Sequence, residues 1–184
     1  MSKRILVIGA GFAGMWSALA AARLLDLAAR SDVEVTLVAP TPELHVRPRL
    51  YENDPARMRA PLNDVFAATG IRFVQGLAEH IDVQARQVRI VGVDPDSSSQ
   101  TIDYDRLVLA AGSRLNCPPI PGLREHSFNV DQIADAAKLE AHIRSLAARP
   151  ENARRNTVVV AGAGFTGIGT ATEMPARLRE ALGD

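Results

Sequence analysis

An α/β fold, with a parallel sheet and a small antiparallel meander inserted in it, follows from three features of the sequence. The first is the opening order of elements. A short β-branched run, Lys3 to Ile8, leads into GAGFAG and then into MWSALAAARLLDLAAR. The run has the character of a buried parallel strand, and the last stretch combines strong helix formers with apolar spacing near 3.6. The second feature is VEVTLVAP, a strand stopped by Pro40, which completes a βαβ unit of ordinary size. A right-handed crossover sets its two strands side by side. The third is a repeat: ILVIGAGFAG and VVVAGAGFTG are nearly the same string, about 150 residues apart.

The remaining elements follow in order. Residues 41–60 are rich in Pro, Arg and Asn, lack a period, and read as a loop. PLNDVFAATG is a short helix ended by Gly70. IRFVQGLAEHID, RQVRIVGV and TIDYDRLVLAAG read as strands, with the turn VDPDSSSQ between the latter two. Hairpin pairing followed by a return to a buried strand, Leu107 to Ala110, predicts the inserted meander. CPPIPG is a proline-rich linker turn. DQIADAAKLEAHIRSLAAR is an amphipathic helix with Asp131 as its N-cap and Ile133, Ala136, Leu139, Ile143 and Leu146 on its apolar side. After the polar loop PENARRN, TVVVAGAGFTGIGTATEMPARLREAL repeats strand, glycine turn and helix. A mononucleotide-binding half needs at least one further strand, so the second domain is incomplete as given.

Composition narrows the function. The 184 residues carry 21 basic and 21 acidic side chains, which points to neither nucleic acid nor an acidic membrane surface. The single cysteine, Cys117, excludes a C-x-x-C redox pair within the chain and makes a reducing compartment the default. The structural reading of Cys117, a small half-buried residue, outweighs a nucleophilic one. His45, His80, His126 and His142 have no metal-binding spacing. Lys3-Arg4 and the apolar run after them have the look of a secretory leader, but glycines at fixed spacing favour strand, turn and helix. No stretch has the length and purity of a membrane span.

Gly9-x-Gly11-x-x-Gly14 lies directly after a strand and opens a helix. Gly9 permits the tight turn, Gly11 lets a pyrophosphate approach the backbone, and Gly14 lets the helix pack close to the strand. Helix-start amides and the helix dipole then favour an anion. Duplication makes the motif strong evidence for dinucleotide binding. The acid that takes ribose hydroxyls at the end of the second strand is missing: that position is Ala39. Glu34 lies too early, within the strand, and Thr41 or Glu43 are the candidates to compensate. No arginine sits immediately after the strand to favour a 2′-phosphate. Ala110-Ala111-Gly112 ends a buried strand with small residues. This leaves room for a ligand at the sheet edge, or is simply a core strand and its turn.

GAGFAG, LHVRPRLYE, GLAEHID, TIDYDRLVLAAGS, IPGLREHSF and VVVAGAGFTGI occur in that order. With them the chain resembles the flavoproteins with two dinucleotide-binding domains (pyridine nucleotide-disulfide oxidoreductase-like), most closely their type II NADH dehydrogenase (NADH:quinone oxidoreductase-like) branch. The resemblance covers essentially the whole chain, and family members are about twice as long. It implies FAD as cofactor and NAD(P)H as co-substrate. By matching position, Gly9, Ala10, Gly11, Phe12, Ala13 and Gly14 hold the FAD pyrophosphate, and Ala39 and Pro40 lie by the adenosine ribose. Arg47 and Pro48 run beside the cofactor, and Ala78 meets the adenine through its backbone. Ala110, Ala111 and Gly112 lie beside the flavin, and Gly162, Gly164 and Gly167 receive the NAD(P)H pyrophosphate. The implied division is an FAD-binding part over 1–116, a linker and helix over 117–155, and the start of an NAD(P)H-binding domain over 156–184.

Three departures qualify the resemblance. No C-x-x-x-x-C pair is present, which argues against disulfide reduction and sulfide:quinone chemistry. Ala39 replaces the ribose acid. Gly169 stands where the family usually carries a glutamate near the nicotinamide, with Glu173 one helical turn on. The implied reaction is hydride transfer from NAD(P)H to flavin and onward to an acceptor such as a quinone, with little turnover expected of these residues alone. The alternatives are an adenine-dinucleotide-binding module without turnover, or a subunit needing a partner chain. No side chain is assigned as a general acid or base. Self-association through exposed apolar surface is expected. So is a cytoplasmic location with peripheral contact to the inner face of a membrane, through segments beyond residue 184.

Overall fold

A computed structural model describes residues 3–94 and 97–183, so part of the turn expected over VDPDSSSQ, at residues 95 and 96, lies outside the described residues. The chain divides into two compact units, Met1–Leu44 with Ala60–Ser113, and His45–Arg59 with Arg114–Asp184. Residues 45–59 group with the second unit, as do residues 114–155.

The first unit is built on a parallel sheet of β1 (Lys3–Ile8), β2 (Val33–Ala39), β5 (Arg72–Gln75) and β9 (Arg106–Leu109), in the order β5-β2-β1-β9. β1 and β2 are joined by α1 (Phe12–Leu27), as the apolar spacing predicts. Alternation along the strands sends side chains to two faces. Val7, Val35 and Leu37 pack with Met15 and Ala18 of α1 and Phe66 of α2 (Asn63–Thr69). Phe66 stacks on Phe73 of β5 at a centroid distance of 5.5 Å. Leu6, Ile8, Val38 and Val74 face the other way, onto Val88, Ile90 and Ile102. Those three belong to an antiparallel meander of β6 (Leu77–Asp82), β7 (Gln87–Val91) and β8 (Gln100–Asp103). The sheet is therefore covered by helices on one face and by the meander on the other. Each such side chain, when fully buried, contributes about 1.5–3 kcal/mol. α2 ends at Gly70, which takes the left-handed conformation expected of its C-cap.

Two short strands, β3 (Glu43–His45) and β4 (Arg59–Pro61), pair with each other and flank the segment between them. That segment, expected to be a plain loop, contains 3-10 turns at Arg47–Arg49 and Pro55–Arg57. The second unit adds α3 (Leu123–His126), α4 (Ile133–Ser145) and α5 (Phe165–Leu182). α4 buries Ala136 and Ile143, with Leu146 just beyond its end, as the periodicity predicts.

Two expectations fail here. Asp131 does not cap α4; the N-cap is Gln132, without a side-chain hydrogen bond. The Asp131 carboxylate instead accepts from Arg47, from the Leu115 N–H at 2.9 Å and from Gln132 Nε2 at 2.8 Å. Burial opposes its ionisation, but these donors outweigh burial and hold the carboxyl below the usual aspartate range. The strand expected before the second glycine turn is also absent: among the described residues 157–164 pair with no strand, and Val159 is 86% exposed. A strand owes its stability to a neighbour's hydrogen bonds and side-chain pairs, and none of the described strands pairs with this segment.

Arg177 was not singled out by the sequence, yet its side chain is 3% exposed. Its guanidinium donates to Glu140 of α4 and to the Tyr51 carbonyl at 2.9 Å, and so ties α4, α5 and the 45–59 segment together. Among the described residues its Nε has no partner. Pro175, two residues earlier in α5, lacks the N–H that would continue the helix ladder there.

Candidate functional site

The first glycine turn lies between the carboxyl ends of three strands. Gly9 N–H donates to Val38 O at 2.8 Å, and Ala110 N–H donates to Ile8 O at 2.8 Å, so β2, β1 and β9 converge on it. Gly9 has φ +106°, which side-chain-bearing residues rarely adopt. A Cβ there would also press into the Ala110 carbonyl, with the carbonyl carbon 2.8 Å away. A Cβ on Gly14 would collide with the Gly9 carbonyl and reach 3.3 Å from the Ala110 Cβ. Gly9, Gly14 and Ala110 thus form a three-way backbone contact that seats α1 on the sheet. Gly11 is different. It is exposed and nothing lies within 4 Å of its Cβ position.

Above Gly11 the geometry suits an anion. The first intrahelical bond of α1 runs from Met15 N–H to Gly11 O at 2.9 Å, so the amides just before it lack intrahelical partners. No side chain caps the helix and its first turn carries no acid. Phe12 and Ala13 are exposed, while Ala10 is buried in the core. Ala111 and Gly112 are exposed at the end of β9, and Gly112 has φ +73°.

The other predicted positions are placed as follows. Ala39 is 4% exposed and its carbonyl accepts from Gly76 N–H at 3.0 Å. Pro40 is exposed and its carbonyl is used by Gln75. Glu34 is engaged by the Thr36 hydroxyl at 2.6 Å and by Arg4 at 3.2 Å, and these donors hold its carboxyl below the usual range. It is therefore a half-buried pairing group in the strand. Ala78 lies in β6, paired with Ile90. Arg47 and Pro48 lie in the second unit, where Arg47 is held by Asp131 through its side chain and, at 3.0 Å, its backbone carbonyl. Cys117 is half-buried, and Arg124 donates to its carbonyl, not its thiol.

The second unit repeats the turn. Gly162 has φ +115°, close to the value at Gly9. A Cβ on Gly167 would collide with the Gly162 carbonyl, as one on Gly14 does with Gly9. Gly164 has open space above it, and the first helical bond runs from Ile168 N–H to Gly164 O at 3.0 Å. The turn keeps this geometry without the strand ladder that precedes it in the first unit. Gly169 lies against Tyr51: a Cβ there would be 2.8 Å from both Cε1 and Cζ of the ring. No acid could be accommodated at position 169 while Tyr51 holds that place.

The sequence matches the family described as pyridine nucleotide-disulphide oxidoreductase over residues 3–181. The chain belongs to that family. It is 44% identical over 177 residues to an NADH dehydrogenase-like protein of Mycobacterium tuberculosis, covering 95% of this chain and 43% of that protein. It is 26% identical to a type II NADH:quinone oxidoreductase of Staphylococcus aureus, covering 97% of this chain and 44% of that protein. The chain thus spans less than half the length of the curated relatives it matches. Among solved structures, NDH2 of Plasmodium falciparum in complex with NADH superposes with a TM-score of 0.77 at 16% identity, over all of this chain and 40% of that one. That likeness bears on the fold, which is the Rossmann-type arrangement of FAD/NAD(P)-binding oxidoreductases. Among the described residues no helix is long and apolar enough to cross a membrane.

Proposed function

We propose that this chain carries the FAD site, and the opening of the NAD(P)H site, of an NADH dehydrogenase-like oxidoreductase. The observation that carries the reading is the pair of glycine turns with one geometry: a positive-φ first glycine, an open second glycine, and a third pressed on the first. The residues fit the cofactor. Gly9, Gly11 and Gly14 leave the pyrophosphate free access to the α1 amides, and Gly162, Gly164 and Gly167 do the same for NAD(P)H at α5. Ala110, Ala111 and Gly112 keep the edge of β9 free of bulk for the flavin. The flavin, when bound, supplies the hydride-accepting chemistry, and the protein supplies binding, orientation and electrostatics. The acceptor class in this reading is a quinone, as in the name of the Staphylococcus aureus relative. Ala39, Pro40 and the backbone of Ala78 line the adenosine side.

A second reading, an adenine-dinucleotide-binding module without turnover, is favoured by the unpaired segment before the second turn. Exposed Phe12, Trp16, Leu24 and Leu27 on α1 support self-association in either case. The test is the absorption spectrum of the purified chain before and after adding FAD, followed by removal of free flavin. A retained flavin spectrum that Gly11→Leu abolishes is expected, because a side chain at 11 would stand where the phosphates approach. Flavin uptake unchanged in that variant would remove the first turn as the site. NADH bleaching of the bound flavin in a longer chain separates the enzyme from the binding module.

A further inference from the structure

We propose that Gln75 reads the adenosine ribose at the first glycine turn, in place of the acid missing from position 39. The inference rests on reading that turn as an adenine-dinucleotide site. In open α/β sheets the ligand lies beyond the carboxyl ends of the strands, and an acidic side chain ending the second strand accepts from the ribose hydroxyls. Here that strand ends in Ala39, which has no acceptor.

The register of the sheet supplies one from the neighbouring strand. Ala39 and Gln75 are partners in the parallel pairing of β2 with β5, the last pair of that ladder. Register partners share a face, and two residues earlier Leu37 and Phe73 both pack on the helix side of the sheet. Gln75 therefore stands beside Ala39 on the helix side, at the same edge. The two differ in access: Ala39 is buried and Gln75 is exposed.

The amide of Gln75 is also oriented. Its Nε2 donates to the Pro40 carbonyl at 2.9 Å, one residue past Ala39. A carbonyl only accepts, so the amide must turn its NH2 toward Pro40 and its Oε1 away. Among the described residues Oε1 has no protein donor. An anchored amide oxygen at the edge of β5 is an acceptor for a hydroxyl, neutral where the usual acid is charged. The rivals are weaker on the same criteria. Glu43 lies in β3 and already has an interaction of its own, and Thr41 has no register partner in the sheet.

The test is calorimetric titration of the 184-residue chain with ADP and with 2′,3′-dideoxy-ADP. Wild type is expected to bind ADP about three- to tenfold more tightly, the range of one hydrogen bond to a sugar hydroxyl. Gln75→Ala should lose that preference while binding the dideoxy nucleotide as wild type does, which also shows that it is folded. Thr41→Ala should keep the preference. A Gln75→Ala chain that still prefers ADP overturns the proposal, as does a wild type that binds both nucleotides equally; in both cases the glycine-turn reading stands. A wild type that binds neither overturns that reading and this proposal with it.

Discussion

Gly14→Ala and Gly11→Ala are both one-methyl changes in the same turn, and the structure gives them opposite consequences. A Cβ at 14 would lie 2.9 Å from the Gly9 carbonyl carbon, closer still to its oxygen, and 3.3 Å from the Ala110 Cβ. Two of these atoms are backbone held by the sheet, so they cannot swing aside, and α1 must lift from β1. Overpacking of this kind costs about 1–3 kcal/mol, and a backbone collision belongs at the upper end. For a chain of this size about 3 kcal/mol corresponds to a fall of roughly 6–12 °C in melting temperature. At Gly11 the added Cβ meets nothing, and the backbone sits at φ −67°, ψ −179°, which alanine tolerates. Stiffening the unfolded chain gains about 0.4–1 kcal/mol. Alanine is a poorer N-cap than glycine by a similar amount, so stability should stay within about 1 kcal/mol of wild type. Thermal melting by circular dichroism reads both variants, and ADP titration reads the site. Gly14→Ala should melt low, while Gly11→Ala should melt normally yet bind ADP several-fold more weakly. A Gly14→Ala chain with an unchanged melting curve would refute the argument that this glycine is demanded by helix–strand approach.

Other predictions come from the second unit. Gly169→Ala should destabilise by about 1–3 kcal/mol because its Cβ meets the Tyr51 ring, and Tyr51→Ala should recover part of that loss; additive effects in urea melts would show no such coupling. Arg177→Ala should cost about 3 kcal/mol by leaving Glu140 short of a partner in a buried place, whereas Arg177→Met with Glu140→Leu should lie nearer wild type; denaturant midpoints decide. Asp131 has its pKa lowered on folding, so its contribution is present above the ordinary aspartate range and is lost as pH falls through its lower folded value. Acid titration followed by circular dichroism should therefore show wild type losing stability over that window, and Asp131→Asn, already less stable at neutral pH, losing less.

The order of elements and both glycine turns were legible in the sequence because they are local properties. The period of apolar residues, the spacing of glycines and the stop at Pro40 or Gly70 act over a few residues, and no distant partner changes them. The same locality misled at two places. TVVVAG has the composition of a strand, but a strand needs a ladder partner, and composition does not supply one. Asp131 has the side chain and position of an N-cap, yet Arg47, 84 residues away, and the Leu115 amide recruit its carboxylate. Nothing near Arg177 in the chain marks it as buried, because its Glu140 partner is 37 residues distant. Gln75 could not be set beside Ala39 until the β2–β5 register was known, since a one-residue slip would send it to the meander face. Sequence alone therefore determined the family's glycine turns and the α/β order. Tertiary structure decided which polar groups meet, because those meetings depend on register and packing between segments that are far apart in the chain.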